Sequence, residues 1–582
     1  MIISPQEFRS MENLNRKTKM EEFIKHNLQA DSVEISPLTT DASSRKYYRV
    51  KSSDKSFVVM DDEGCRCHTF EFVELSKFLR ARNVWVPEVL ATDFENGFLL
   101  IEDLGDDTVG KLLTPQNEAQ LYEMSGDAVA KVAAVSERPQ CVKEFSRDRI
   151  LEDLRLFTDW YFPMTTGQPL NPQAAKEFFE IAEKLVPLAY RVPNRLVLWD
   201  YHIDNIMLPP RAKECAIIDF QDAMWGPLTY DIMSLLAADR RFAPKEVIEK
   251  VKERFFESLS NVRREDFDDS YAFLSMFRHL RVLGRFTTLS MVNGKKRYLE
   301  YIPQVWTMLE QVLEYPKLAP MKNWLDNNLP QPQRGLPQRK PFNQAMILAA
   351  GRGTRMQNLT DDCPKPLIKV GDKALIDYNF DRLREIGIKN AVVNLCYKKE
   401  MLKQHLEQSQ NDFNLVFSEE EEALETGGGV KQALPLLKDE CFFVFNSDVF
   451  FIDKGYKPAL WRMMDAWDKN KYDILLLLQD LKDICGDKGI GDYKIGLNGK
   501  IERNYDKKSG YPYMFAGISI VNRKIFAQEE RKKFSLRDLF DLAEKEGKLG
   551  FIINQSEFFH VGTPEALEAA ETKIRQQMKK IC

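Results

Sequence analysis

The run AMILAAGRGTRM, from Ala345 to Met356, passes from a short apolar strand at 345–348 into a loop holding Gly351 and Gly353, with the cations Arg352 and Arg355 beside them. Glycine lets backbone amides turn inward as donors, and guanidinium presents a planar fork matched to phosphate oxygens, so the run reads as a phosphate cradle. Lys365, between Pro364 and Pro366, adds a cation on a stiffened loop. Asp448 follows the apolar run 442–445 in FFVFNSDVFF. There it either holds Mg²⁺ against phosphate oxygens or caps a turn. In LETGGG, Glu425 precedes Gly427 to Gly429, and three glycines permit close backbone approach to a flat base or a sugar.

A second set lies in the first half. LVLWDYHIDNIML places Asp200 and Asn205 five residues apart, and Asp219 follows the apolar strand 216–218. Phosphoryl transfer from ATP needs a carboxylate to orient the attacking hydroxyl and an Asn plus an Asp to hold Mg²⁺, which this layout supplies. Cys65, Cys67 and His68 are close enough to suggest a metal, but no second ligand pair stands at zinc spacing, so they read as ordinary surface or buried residues.

These residues need elements to hold them. A chain of 582 residues is too long for one core, so two or more domains are expected. Residues 46–51, 57–60 and 97–102 read as strands and 70–82 as an amphipathic helix, followed by mainly helical sequence. From Tyr315 to Pro341 periodicity fades and six prolines gather, which reads as an interdomain linker. Beyond it, apolar runs at 391–396, 442–446 and 474–478 alternate with helical segments, as in a parallel-rich sheet with helices on both faces.

A net charge of -5 without a basic block argues against a general nucleic-acid surface and for small-molecule partners. No signal-peptide core or bilayer-length apolar stretch is present, and nine scattered cysteines suit a reducing compartment. A cytoplasmic enzyme with neither a membrane nor an obligate protein partner is the expectation.

The motifs AMILAAGRGTRM, CPKPL, LETGGG, FNSDV, GDYKI, FAGISI and HVGTPEALEAAE occur in the order found in sugar-1-phosphate nucleotidylyltransferases. They are most similar to the N-acetylmuramate-1-phosphate uridylyltransferases of cell-wall recycling. Over 345–576 the resemblance implies a Rossmann-like α/β domain with a mixed, mostly parallel sheet. It implies that Leu348, Ala349, Gly351, Gly353, Thr354, Gly427 and Gly428 bind nucleotide, while Arg355 and Lys365 stabilise the triphosphate and leaving pyrophosphate. Asp492 and Gly517 line the sugar; Glu425 orients hydroxyls or caps the following helix. Asp448 holds Mg²⁺. His560 stands where the family's late Val-Asp-Val-Gly pattern has a carboxylate, and is a weak metal ligand, a group acting from beyond the metal, or packing.

Over about 21–313 the chain resembles aminoglycoside-phosphotransferase-like kinases, specifically the anomeric kinases for N-acetylmuramate and N-acetylglucosamine, through TTDASSRKYYRV, FVVMDDE, GFLLIEDLGDDT, DFQDAMWGPLTYD and RHLRVLGRF. That implies a bilobal α+β kinase-like fold in which Asp200 is the catalytic base, Asn205 and Asp219 hold Mg²⁺, and Glu102 to Leu104 form the adenine hinge. Asp231 braces the catalytic loop or caps its helix. Leu198 and Trp199 replace the usual His-Arg, and Met60 stands where many kinases carry a lysine. Arg45 and Lys46 become candidates for the phosphate contact or are solvated charges, and Arg278 and Arg281 meet a lactyl carboxylate or form surface ion pairs.

The expected organisation is a sugar kinase over 1–314, a Pro-rich linker over 315–341 and a nucleotidylyltransferase over 342–582. Together they would use ATP, UTP and an amino sugar with Mg²⁺ to make a UDP-sugar. Two alternatives remain at this stage. A choline kinase fused to a choline-phosphate cytidylyltransferase would need an aromatic or acidic cage, to which Tyr161, Trp199 and Trp225 could contribute rings. A degenerate kinase serving as a sugar-binding module is the other.

Overall fold

The structure, a computed structural model, describes residues 5–38, 45–52, 55–62, 66–237, 243–338, 340, 342–454, 457–486, 489–496 and 499–581. Cys65 and the side chains of Cys67 and His68 lie outside the described residues, as does the whole of the TTDASS run. The chain divides into two compact units. The first comprises 1–154, 172–283 and 301–332; the second comprises 155–171, 284–300 and 333–582.

In the first unit, five antiparallel strands lie in the order Glu34–Leu38, Lys46–Ser52, Lys55–Asp61, Phe98–Glu102, Val89–Asp93. The continuous apolar runs FVVM and FLLI arise because both faces of this sheet are covered. Val58, Met60, Leu99 and Ile101 pack with Phe72, Leu75 and Leu79 of the helix Arg66–Arg80. Their neighbours Val59, Phe98 and Leu100 pack with Met20 and Ile24 of the helix Pro5–Leu28. Side chains alternate across a strand, so each run serves both layers.

The remainder of this unit is mainly helical, with a small three-stranded sheet and a two-stranded one among the helices. Asn194–Val197 pairs antiparallel with Met224–Pro227, and Ile206–Met207 with Ala216–Ile217. Asp200 and Asn205 lie between the strands Asn194–Val197 and Ile206–Met207, and Asp219 just after Ala216–Ile217.

The stretch 315–341 does not run as a free linker. It contains the helix Ala319–Asn328, which buries Met321, Trp324 and Leu325. Trp324 donates Nε1–H to Ala174 O at 3.0 Å and meets Phe178 edge-on at 4.9 Å. Pro316 and Pro320 occupy first-turn positions, where the missing N–H has no intrahelical partner to lose. They start helices, whereas their mere number suggested a loop. Likewise, 155–171 and 284–300 pack with the second unit although they precede the expected boundary.

The second unit is built on a mixed nine-stranded sheet. Its main path runs Asn414–Glu419, Asn390–Leu395, Gln344–Leu348, Cys441–Asn446, Tyr513–Asn522, Ile474–Asp480, Leu549–Asn554. The first four are mutually parallel, Tyr513–Asn522 is antiparallel to both its neighbours, and the last pair is parallel again. Helices cover both faces: Ala345, Ile347, Phe443 and Phe445 belong to one core, Met346, Phe442 and Val444 to the other. Because the first four strands point the same way, their carboxyl ends form one rim, the place where open α/β sheets bind ligands.

Candidate active sites

That rim encloses a cavity of about 360 Å³. Of the residues singled out in the sequence, Leu348, Gly351, Gly353, Thr354, Arg355, Lys365, Glu425 and Asp448 line it. Gly353 has φ +71°, and a Cβ there would lie 2.8 Å from Lys365 Cβ, so this position needs glycine both for its backbone and for the lysine beside it. Lys365 is largely buried and donates to Asp448 Oδ2 at 2.8 Å. Burial pushes the Asp448 carboxyl upward, but Lys365, His560 and Arg355 outweigh it and hold the group below its ordinary range. The cavity thus presents an anionic oxygen surrounded by cations, an arrangement suited to a polyphosphate that rearranges those partners on binding.

Several residues do work for which the sequence offered only position as a signal. Asn394, Glu420, Asn446 and Ser447 also line the cavity. Asn394 Oδ1 accepts from Ala349 N at 2.7 Å while its Nδ2 donates to Glu420 Oε1 at 2.6 Å, and Glu420 Oε2 accepts from Leu424 N at 3.0 Å. This chain of bonds ties the first strand's exit, which includes Ala349, to the start of the Glu425–Ala433 helix. Polar residues ending apolar strands were the available clue.

The glycine run also meets a demand of packing within the protein. A Cβ on Gly427 would fall 2.3 Å from the Phe534 ring, one on Gly428 2.4 Å from Lys532 O, and one on Gly429 2.7 Å from Asn394 Nδ2. The amides of Gly427 and Gly428 both donate to Phe534 O. Gly427 and Gly428 therefore let protein approach protein, and neither lines the cavity.

Asp492 and Gly517 do not line it either. Asp492 Oδ2 accepts from Phe515 N at 3.1 Å, and Gly517, at φ +76°, leaves room for Val449 and Asn446. Glu425 has φ 62° as the first helical residue, and no side-chain cap bond is made by the preceding Leu424. His560, paired in register with Val449, lies beside Asp448: a Cβ on Gly562 would be 3.5 Å from His560 Nε2 and 3.7 Å from an Arg355 guanidinium nitrogen.

In the first unit, Asn205 Nδ2 donates to Asp200 O at 3.0 Å and approaches Asp219 Oδ2 at 3.5 Å. Gln221 Nε2 donates to Asp219 Oδ1 at 2.7 Å. Arg45 is buried and stands 3.7 Å from Asp219 Oδ1, 3.4 Å from Asp222 Oδ2 and 3.9 Å from Asp62 Oδ2. Sequence reasoning did not single out Asp222 or Gln221. Lys46 is exposed at the start of its strand, in register with Asp61.

Asp231 braces the loop that carries Asp200. Its buried carboxylate accepts from Leu198 N at 2.7 Å and Trp199 N at 3.2 Å, while Thr229 takes the helix N-cap position. Burial pushes the Asp231 carboxyl up to about 7 against the pull of those amides. Asp231→Ala would leave both buried amides unpaired, so the first unit is expected to lose ~2–5 kcal/mol in denaturant unfolding, with sugar phosphorylation falling along with it.

Trp199 and Asp219 both adopt left-handed backbone, at φ 74° and 59°, an uncommon conformation for residues with side chains. Trp199 is held by its ring, which stacks on Tyr230 at 4.9 Å and carries the Arg281 guanidinium 4.6 Å from its centroid. Arg281 is also paired with Asp153 at 3.2 Å, and Arg278 is buried. The Trp199 face is thus already covered by a guanidinium, and Tyr161, buried in the second unit, donates its hydroxyl to Gly335 O at 2.7 Å. Leu104 sits with Met207, Ala216, Trp85 and Ile218 in an apolar cluster. The Glu102 carboxylate is occupied by Arg80 and Glu88 N, and its own backbone N donates to Glu88 O at 2.9 Å.

The two sites define two classes of transferase, and the chain's similarities divide in the same way. Residues 34–265 match the phosphotransferase enzyme family and residues 344–577 the nucleotidyl transferase family. An N-acetylmuramate/N-acetylglucosamine kinase of Pseudomonas aeruginosa is 33% identical over 51% of this chain and 89% of its own. A similarly named kinase of Pseudomonas putida is 29% identical over 49% and 85%. An N-acetylmuramate alpha-1-phosphate uridylyltransferase of Caulobacter vibrioides is 35% identical over 40% of this chain and 97% of its own. The chain belongs to both families, the N-acetylmuramate/N-acetylglucosamine kinases in its first half and the N-acetylmuramate alpha-1-phosphate uridylyltransferases in its second, and is a bifunctional kinase and uridylyltransferase.

Proposed function

We propose that the chain phosphorylates N-acetylmuramate or N-acetylglucosamine at the anomeric hydroxyl with ATP, then joins the sugar α-1-phosphate to UMP from UTP, releasing pyrophosphate. The observation that carries this reading is two clusters of residue types suited to phosphate in one chain, each within the half related to the matching enzyme.

In the first reaction Asp200 accepts the anomeric proton as that oxygen attacks the γ-phosphorus and ADP leaves. Asn205 and Asp219, adjacent and oxygen-bearing, fit Mg²⁺, which would draw charge from the phosphates; Arg45 supplies a fixed cation at Asp219. Arg278 and Arg281 are the cations for a lactyl carboxylate, with Arg281 shared with Asp153. Leu104 and its apolar neighbours take the adenine.

In the second, the sugar phosphate oxygen attacks the α-phosphorus of UTP and the bond to the β-phosphate breaks. Lys365 and Arg355 offset the charge that develops on pyrophosphate, and the open face at Gly351 admits the phosphates. Asp448 would hold Mg²⁺, which would draw charge from the phosphates of UTP. Among the described residues no group of three His, Cys, Asp or Glu could hold a metal unaided. His560 then acts from beside Asp448, since imidazole is a poor match for magnesium.

Among the described residues no helix is long and apolar enough to cross a membrane. A cytoplasmic role returning cell-wall amino sugars to peptidoglycan precursors suits these substrates. Phosphorus NMR of the chain with ATP and each sugar checks the first step. An α-anomeric phosphate is expected from both sugars, whereas a phosphate at another hydroxyl, or turnover of choline in their place, would contradict the reading.

A further inference from the structure

The second unit includes two stretches from earlier in the chain, 155–171 and 284–300. The first opens with a π-helical turn, Leu156–Tyr161, and places Trp160 and Met164 in the same core cluster as Phe342, Trp461 and Met464. Trp160 and Trp461 are 5.5 Å apart between ring centroids.

On the Trp160 ring stands the Lys457 ammonium, 4.6 Å from the centroid. Its Nζ donates to Asp159 O at 2.7 Å and pairs with Asp465 Oδ2 at 2.5 Å, and the side chain is only 2% exposed. Burial lowers its proton affinity, with Asp465 working against that. A buried ammonium is tolerated only when its partners are well placed, and residues 159 and 160 supply two of them.

Further bonds fasten the same segment. Tyr161 donates its hydroxyl to Gly335 O at 2.7 Å, and Gln338 N donates to Met164 O at 2.6 Å. The second stretch begins at Gly284, where a Cβ would come within 2.1 Å of Leu156 O, so glycine permits the close crossing. Leu156 and Met291 pack against the same core.

We infer that residues 155–171 and 284–300 are a built-in docking element of the nucleotidyltransferase unit, seated on its Lys457–Trp461 face, so that a chain cut between its two catalytic sequences remains one particle. The occupant is this chain's own segment, because two of the lysine's partners, Asp159 O and the Trp160 ring, belong to it, and that ring lies beside Trp461. No use of this face by either catalytic site is required.

The test inserts a specific protease site between Pro332 and Gln333, both exposed, in the full-length chain, and chromatographs the protein after cutting. One particle carrying both activities is expected. Trp160→Ala in the cut chain should weaken retention of the fragments by more than about a hundredfold. Lys457→Met should weaken it in the same direction while circular dichroism remains native, which separates loss of docking from loss of folding. Two separating, active fragments from the cut wild type would overturn the inference. So would a cut chain that stays together equally well with Trp160→Ala and Lys457→Met, since the association would then rest elsewhere.

Discussion

Asp200→Asn is expected to cut sugar phosphorylation by about 10²- to 10⁴-fold, the usual worth of a positioned general base, while nucleotidyl transfer from supplied sugar 1-phosphate is retained. The amide keeps the shape of the side chain but cannot take the anomeric proton. Asn205 bonds the backbone oxygen of Asp200, so the loop geometry does not depend on the carboxylate. Initial rates of ADP formation and of pyrophosphate release, measured on the same preparation, check this. Equal loss of both would contradict two independent chemical steps.

Lys365→Met is expected to have the mirror effect, lowering nucleotidyl transfer by about 10²- to 10³-fold, as for removal of one preorganised charge-stabilising donor. Lys365 touches Asp448 and packs under Gly353, so its loss removes a cation from the phosphate cradle. Methionine preserves most of the buried stem, which keeps the effect chemical. The Asp448 carboxyl should also move upward, because Lys365 is the leading attraction opposing its burial. Pyrophosphate release across a pH series checks both. A near-normal rate with kinase activity unchanged would remove Lys365 from the reaction.

Legibility in the sequence followed the range of the forces involved. The apolar runs 345–348, 442–446 and 474–478 are strands because local periodicity encodes them, and Asp448 and Gly351 fall at a sheet edge for the same reason. Asn394 and Glu420 were silent because their role is a hydrogen-bond chain between segments distant in sequence. The glycines 427 and 428 were legible as a need for close approach, but what approaches, Phe534 and Lys532, is set by tertiary packing. The antiparallel strand Tyr513–Asn522 follows from chain routing, to which periodicity is blind. The helix Ala319–Asn328 was hidden by prolines that begin helices as readily as they end them. The membership of 155–171 in the second unit rests on Trp160 meeting Trp461 and Lys457, about three hundred residues away, as the 298-residue separation of Lys457 and Asp159 indicates.

The central claim is that one chain carries a free sugar through both steps. Incubating the intact protein with N-acetylmuramate, ATP and UTP, and quantifying ADP, pyrophosphate and UDP-sugar together, tests it most directly. The account predicts equal amounts of all three at completion, with the rate of UDP-sugar production cut by Asp200→Asn by about 10²- to 10⁴-fold and restored when sugar 1-phosphate is supplied. UDP-sugar that appears without ATP, or ADP that accumulates while supplied sugar 1-phosphate is never uridylylated, would contradict it.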